Sequence, residues 1–295
     1  MFRSTDITNE KPRVTPCTQN YFPCECVVDY DGLAVTCNYG TVQEIQDVFR
    51  RTADPYIFQF TFKEVSYERV PADFLAGKSV SNINFEIGSG TTFDPLAFRT
   101  TQKNTISLTF FRWSLLAMED MNFLNGFNAL KSLHFVRDFD IQVFQYLPSL
   151  PSLTHLEISQ SSSLANTTFP DLTPARLERL FLPQNRLGDN ITKYHLESVA
   201  RSSSASSLKE IFLRTNELTT VPPMLHLFTN LNYVDVDENF ISRINQSSLT
   251  FSSPMSYLSI VNNNLSIIES GAFSKGTRGF SNMPKVVHQT SSFFK

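Results

Sequence analysis

All four cysteines stand near the amino terminus, at Cys17, Cys24, Cys26 and Cys37, in the spacing C-x6-C-x-C-x10-C. Thiols so arranged could hold zinc or close two disulfides. Structural zinc draws on paired C-x2-4-C spacings with a second pair well downstream. This segment lacks them, so two disulfides are expected, and spacing alone leaves all their connectivities open. The histidines, His134, His155, His195, His226 and His288, form no H-E-x-x-H or comparable ligand pair. Nor does the chain contain a G-x-S-x-G, a P-loop or a G-x-G-x-x-G. Carboxylates gather at Asp138 and Asp140, and at Asp235, Asp237 and Glu238. Acid–base work would need them in a site that excludes water.

The elements that must position these residues belong to a repeat. The pattern Leu-x-x-Leu-x-Leu-x-x-Asn-x-Leu recurs as Leu177, Leu180, Leu182, Asn185, Leu187, then Leu208, Ile211, Leu213, Asn216, Leu218, then Leu231, Val234, Val236, Asn239, Ile241, then Met255, Leu258, Ile260, Asn263, Leu265. Weaker rungs precede it at Leu153 (Leu156, Ile158, Ser161), Leu130 (Leu133, Phe135, Asp138), Thr105 (Leu108, Phe110, Trp113, Leu115), Val80 (Ile83, Phe85, Gly88) and Pro55 (Phe58, Phe60, Lys63, Val65). Successive starts lie 25, 25, 25, 23, 24, 31, 23 and 24 residues apart. Each such unit is a short strand plus a return segment, and it buries its apolar face only against its neighbours. The expected fold is therefore an α/β repeat, a curved leucine-rich-repeat solenoid with a parallel sheet on its concave face and irregular or short helical segments on the convex side. An open concave sheet excludes no water, so no catalysis and no cofactor or metal is expected. His134 and His155 fall on outward strand positions of neighbouring repeats, where ordinary polar exposure is the expected role.

The domain reading follows. Residues 1–16 are a disordered leading segment, 17–54 a cysteine-rich cap, 55–278 the solenoid of about nine repeats, and 279–295 an irregular tail. In the cap, Leu33, Val35 and Cys37 are expected on a strand, and Val42, Ile45, Val48 and Phe49 on a short helical turn. The early repeats lose the ladder asparagine, whose side chain normally bonds the backbone of the adjacent coil, so their turns are expected to be less regular. Phe is abundant, at 27 residues. Phe74, Phe98, Phe123 and Phe273 recur in the return segments and are expected to form an interior spine. The long repeat starting at Leu177 ends in the serine run 201–207, which reads as a mobile loop. A tenth rung near Gly279 would put Asn282 and Pro284 at apolar strand positions, so the ladder is expected to stop there and leave an open end unless Val286, Val287, Phe293 and Phe294 fold over it.

Net charge is only −3, with 41% hydrophobic, 18% charged and 13% aromatic residues, which argues against a nucleic-acid partner. No apolar run reaches the roughly 18 to 20 residues of a membrane span. Disulfides belong in an oxidising compartment. Residues 1–14 contain no apolar signal-peptide core, so an extracellular location implies a leader ahead of Met1, with a reduced cytosolic chain as the alternative. Sequons at Asn166, Asn190 and Asn245 fall on the return side, where a glycan would leave the strands free; a fourth, at Asn264, crowds the ladder residue Asn263. Strand alternation turns Arg179, Phe181, Phe212, Arg214, Tyr233, Asp235 and Tyr257 outward on the concave face. Aromatics and arginines side by side are the composition of interface hot spots. The expected partner is therefore a protein, with a glycan as the other candidate.

The cysteine segment resembles the amino-terminal cap of extracellular leucine-rich-repeat proteins. That resemblance implies the pairing Cys17 with Cys26 and Cys24 with Cys37. With Val70-Pro71-Ala72-Asp73-Phe74-Leu75-Ala76-Gly77 in the first return segment and Ile268-Glu269-Ser270-Gly271-Ala272-Phe273 in the last, the chain is similar to arthropod proteins of the oplophorus-luciferin 2-monooxygenase non-catalytic subunit family. The resemblance implies a secreted, non-enzymatic glycoprotein that associates with other polypeptides, an accessory subunit in a secreted complex. Oxygenase activity in that system belongs to a separate chain, so no catalytic residue carries over. The alternative expectation is the ectodomain of a longer receptor or matrix protein.

Overall fold

The structure, a computed structural model, describes residues 15–28, 30–64, 66–114, 120–137, 144, 146–161, 163–170, 172, 174–246, 249–272 and 285–287. The ladder positions Val65, Leu115 and Asp138, together with Asp140, Phe273, His288, Phe293, Phe294 and most of the expected leading segment and tail, lie outside them.

The cap is a small β-meander and a helix. Strands β1 (Thr15–Pro16), β2 (Glu25–Val28) and β3 (Leu33–Cys37) pair antiparallel, and helix α1 (Val42–Arg51) follows. Thr15 and Pro16, assigned from sequence to the unstructured leader, thus belong to the first strand. Disulfides join Cys17 to Cys26 and Cys24 to Cys37. Helix α1 begins with a capping box. Thr41 Oγ1 accepts from Glu44 N (3.2 Å) and Glu44 Oε2 accepts from Thr41 N (2.7 Å), which satisfies two of the four open helical N–H positions reciprocally. The helix buries Ile45, Val48 and Phe49 and seals the first coil. At its other end Lys78, itself 5% exposed, donates its ammonium to the Thr52 carbonyl, a cation at a helix carboxyl terminus.

Parallel pairing starts at β3 and runs through β4 (Tyr56–Lys63), β6 (Ser79–Phe93), β7 (Ser107–Ser114), β8 (Ser132–Val136), β9 (His155–Ser159), β10 (Arg179–Phe181), β11 (Glu210–Phe212), β12 (Tyr233–Asp235), β14 (Tyr257–Ser259) and β16 (Lys285–Val287). Strand β5 (Ser66–Val70) pairs with the far end of β6, and β13 (Arg243–Ile244) with β15 (Ile267–Ile268) forms a two-stranded ribbon. The register aligns Phe60 with Ile83, Leu108, Leu133, Leu156, Leu180, Ile211, Val234 and Leu258, all of them buried. The chain is a leucine-rich-repeat solenoid with a disulfide-bonded amino-terminal cap.

Four expectations need correction. The first repeat starts at Ile57, not Pro55: Ile57, Phe60 and Phe62 are buried and register with Val80, Ile83 and Phe85. The alternating Tyr56–Phe62 segment offers apolar residues in both registers, and packing against the next coil selects this one. Secondly, the serine run is not a loop. It continues helix α2 (Glu197–Arg201) through a 3-10 turn at Ser203–Ser206. Ser204 is fully buried; its hydroxyl accepts from Leu177 N (3.0 Å) and donates to Ala175 O (3.2 Å). Thr101 does the same for Val80 N and O in an earlier coil.

Thirdly, the ladder does not stop at the last clear rung. Strand β16 adds parallel to β14, with Val286 opposite Leu258, because the asparagine and proline of the expected tenth rung fall ahead of the strand. Fourthly, the asparagine-free coils turn as regularly as the others. The eighth residue of every repeat, from Glu64 and Ile87 to Glu238 and Asn262, has φ between 50° and 66°. That left-handed step costs a non-glycine residue about 1 kcal/mol, and packing imposes it even on β-branched Ile87 and Thr215. In the later coils asparagine stabilises it. Asn185 accepts from Ser161 N (2.8 Å) and donates to Ile158 O (2.6 Å), and Asn216, Asn239 and Asn263 bond the preceding coil likewise. In the early coils stacked rings occupy the interior instead: Phe85 on Phe110 at 5.2 Å, Phe110 on Phe135 at 5.4 Å, Phe93 on Phe123 at 4.5 Å. Phe74, Phe98 and Phe123 of the expected spine are buried.

Candidate functional site

The ladder residues point inward, so the residues between them line the concave face. Counting each repeat start as zero, offset 2 presents Gln59, Asn82, Ser107, Ser132, His155, Arg179, Glu210, Tyr233 and Tyr257. Offset 4 presents Thr61, Asn84, Thr109, His134, Glu157, Phe181, Phe212, Asp235 and Ser259. The face has two chemistries. At these two offsets the first four coils offer only amides, hydroxyls and one imidazole, and the remaining five are charged and aromatic; offset 6 adds Lys63, Glu86 and Phe111 in the early coils and Arg214 and Asp237 in the later ones.

In that second part four rings form one stack. Phe181 lies on Phe212 (4.2 Å between centroids, 6° between planes), Phe212 on Tyr233 (4.8 Å, 30°) and Tyr233 on Tyr257 (4.4 Å, 12°). Strand spacing in a parallel sheet, about 4.8 Å, sets this separation. The stack crosses from offset 4 to offset 2 between β11 and β12. All four rings are half-buried. Phe212 and Tyr233 are covered on both faces, Phe181 and Tyr257 on one. Burial, then the neighbouring Tyr257 and Asp235, push the Tyr233 hydroxyl up to about 12.

Charged groups border the stack. Arg179 pairs with Glu210 (3.1 Å) and Arg214 with Glu238; both arginines are exposed, and exposed pairs contribute about 0–1 kcal/mol, so either can exchange partners readily. Asp235, expected to project outward, is buried to 8% exposure between the strands that carry Phe212 and Ser259. It accepts from Asp237 N at 2.9 Å. Burial, with the charge of Asp237 behind it, raises its carboxyl above the ordinary carboxylate value. Asp237 accepts from Ser259 Oγ and Val261 N, both at 2.6 Å.

At the other end of the stack, His134 Nδ1 lies 3.0 Å from Glu157 Oε2. This contact holds Glu157 below its ordinary value, while burial and nearby Arg179 lower His155. His134 thus faces Glu157, while His155 Nδ1 lies 2.8 Å from Thr154 Oγ1.

Sequence placed every ring and both arginines on this face, yet reading by columns separated Phe181 and Phe212 from Tyr233 and Tyr257. The diagonal between adjacent columns, within reach of aromatic side chains, was the available signal. The His134–Glu157 contact was likewise missed.

On the return side Asn166, Asn190 and Asn245 are exposed, and so is Asn264, which the sequence set aside as crowded. The neighbouring Asn263 turns its amide inward and leaves Asn264 room. A cleft of about 470 Å³ lies there between Thr168–Pro170 and helix α2, lined also by Lys193, Tyr194 and Arg201. Among the described residues, no group of three or more His, Cys, Asp or Glu side chains could hold a metal ion, and no helix is long and apolar enough to cross a membrane.

No protein-family model matches the chain, and no curated protein does. Solved structures with a similar course include Toll from Drosophila in its complex with Spatzle, at 12% identity and TM-score 0.31, over 90% of this chain and 53% of Toll. The glycosylated form of that complex gives 13% and 0.33, over 89% of this chain and 54% of the other. An internalin from Listeria monocytogenes gives 16% and 0.32, over 84% and 88%. This chain thus spans about half the length of the Toll chain it resembles.

Proposed function

We propose that this protein is a secreted, non-catalytic leucine-rich-repeat glycoprotein that binds a polypeptide partner through the carboxyl-terminal half of its concave face. The observation that carries this reading is the stack Phe181–Phe212–Tyr233–Tyr257. Aromatic side chains with two rotatable bonds lose little entropy on docking, and interfaces concentrate them with arginine at their centres. Here Arg179 and Arg214 flank the rings with weak ion pairs that a partner can replace. The covered faces of Phe212 and Tyr233 favour a protein over a glycan, because a sugar ring stacks on an aromatic face and not on its edge. Secretion is supported by the two disulfides, and glycosylation by the exposure of Asn166, Asn190 and Asn245 away from the strands. The cap and return-segment motifs that resemble the luciferin-monooxygenase non-catalytic subunits suit an accessory chain in a secreted complex.

The test is affinity capture from the native secretion with the disulfide-intact protein, wild type beside the variant Phe181→Ala/Phe212→Ala/Tyr233→Ala. Wild type retains a discrete polypeptide that the variant, still folded by far-UV circular dichroism, does not. Equal capture by the two refutes the assignment.

A further inference from the structure

We infer that the partner engages this face with a cationic side chain, an arginine or lysine of a polypeptide segment, whose stem lies along the edges of the ring stack and whose head sits over Asp235, Asp237 and Glu238. The inference rests on the concave-face reading above. Its basis is an imbalance of charge in the later coils. Three carboxylates on β12 and the turn after it face one guanidinium, that of Arg214, and Arg214 is already bonded to Glu238. The other nearby cation, Arg179, is bonded to Glu210. Asp235 and Asp237 are 8% and 9% exposed, and among the described residues neither forms an ion pair.

Their hydrogen bonds come from neutral donors, namely Asp237 N to Asp235 and Ser259 Oγ and Val261 N to Asp237. Arg214 is the cation acting on all three carboxylates; buried carboxylates sharing one cation are poorly compensated, and a second cation arriving from a partner reduces that penalty only in the complex. The rings decide which kind of cation fits. Phe212 and Tyr233 are covered on both faces, so a small ammonium has no open ring face to sit on there. A long side chain does fit, because its methylenes pack on apolar ring edges while its charged head stays at the carboxylates.

The probe is N-acetyl-arginine amide, titrated into the full chain carrying 13C-labelled tyrosine rings, with N-acetyl-norleucine amide as the neutral control. The expected result is a saturable shift of the Tyr233 and Tyr257 signals with the arginine amide alone, weakened about tenfold in Asp235→Asn through loss of one charge-assisted contact. No saturable response, an equal response to the norleucine amide, or an unchanged affinity in Asp235→Asn each overturns the inference. Capture of a partner that survives Asp235→Asn and Glu238→Gln but not the triple ring variant also overturns it, while leaving the docking face in place.

Discussion

Replacing Asn216 by alanine tests how the later coils are held together. The Asn216 carboxamide accepts from Asn185 N and Leu187 N, both at 3.0 Å, and donates to Leu182 O at 2.8 Å and Leu213 O at 2.9 Å. It is 5% exposed, so water does not take its place. Leu213 O keeps a second donor, Asn239 Nδ2 at 3.0 Å. The variant therefore strands two N–H groups and one carbonyl, at about 1–3 kcal/mol for each buried group left unpaired. The expected loss is about 4 kcal/mol, a large fraction of the roughly 5–15 kcal/mol that a folded domain commands.

Asn263→Ala is the internal control. It strands only Ile241 N, since Val236 O still receives Asn239, and its cost should be about 1–2 kcal/mol. Urea unfolding with disulfides intact, followed by far-UV circular dichroism and by fluorescence of the single tryptophan, Trp113, measures both variants. Because each coil touches only its neighbours, the loss should be larger by circular dichroism, which sees the whole solenoid, than by Trp113, four coils away from Asn216. An Asn216→Ala cost below about 1 kcal/mol, or one equal to that of Asn263→Ala, would refute the claim that unpaired backbone groups set the energetics of the ladder.

Three further outcomes are expected. Ser204→Ala unpairs Leu177 N and Ala175 O and should destabilise the chain by about 2 kcal/mol in thermal unfolding; a mobile serine loop would give no change. Asp235→Asn should stabilise the protein at pH 7. The folded-state pKa of Asp235 is raised, so its contribution is fully favourable only below the unfolded value near 3.8 and is lost as pH rises through the folded value. The advantage of the variant should accordingly vanish on acidification to pH 3, as melting temperatures at the two pH values will show. The triple ring variant should also melt lower than wild type, because it breaks all three ring contacts at about 0.5–1.5 kcal/mol each; an unchanged melting temperature would mean the stack is not formed in solution.

The sequence made the fold legible because inward positions repeat with one period and one chemistry, and nine coils state the same rule. It was least legible where residues suit two registers or where a bond crosses coils. The Tyr56–Phe62 strand is apolar in both registers, and only the partner strand shows that Ile57 starts the repeat. The serine run has the composition of a flexible loop, yet one of its hydroxyls lies opposite the open backbone groups of Leu177 and Ala175, a match invisible without the neighbouring coil. Asp235 sits at an outward offset, and its burial comes from the strands on either side. On the concave face, offsets placed each ring in its column; the continuity of the stack depended on a diagonal contact that a column-by-column reading does not contain.

The first four coils provide the comparison that separates structure from recognition. Their strands pair in the same parallel register and take the same left-handed step, and they close over an equally buried interior. Yet offsets 2 and 4 there hold Asn82, Asn84, Ser107, Thr109 and Ser132, neutral polar side chains of which the asparagines bond the preceding coil. Asn82, for one, donates to Phe58 O at 3.1 Å. Aromatic rings on the concave side are thus not a requirement of the solenoid. In the early coils Phe111 lies under Arg137, whereas the four later rings form one stack, flanked by two arginines in exchangeable pairs and by two aspartates that share Arg214 with Glu238. Half-exposed rings keep apolar surface in contact with water, which is unfavourable by about 25 cal/mol for each Å². The stack recovers part of that by covering ring faces with ring faces, and the remainder is recovered only when something else covers it.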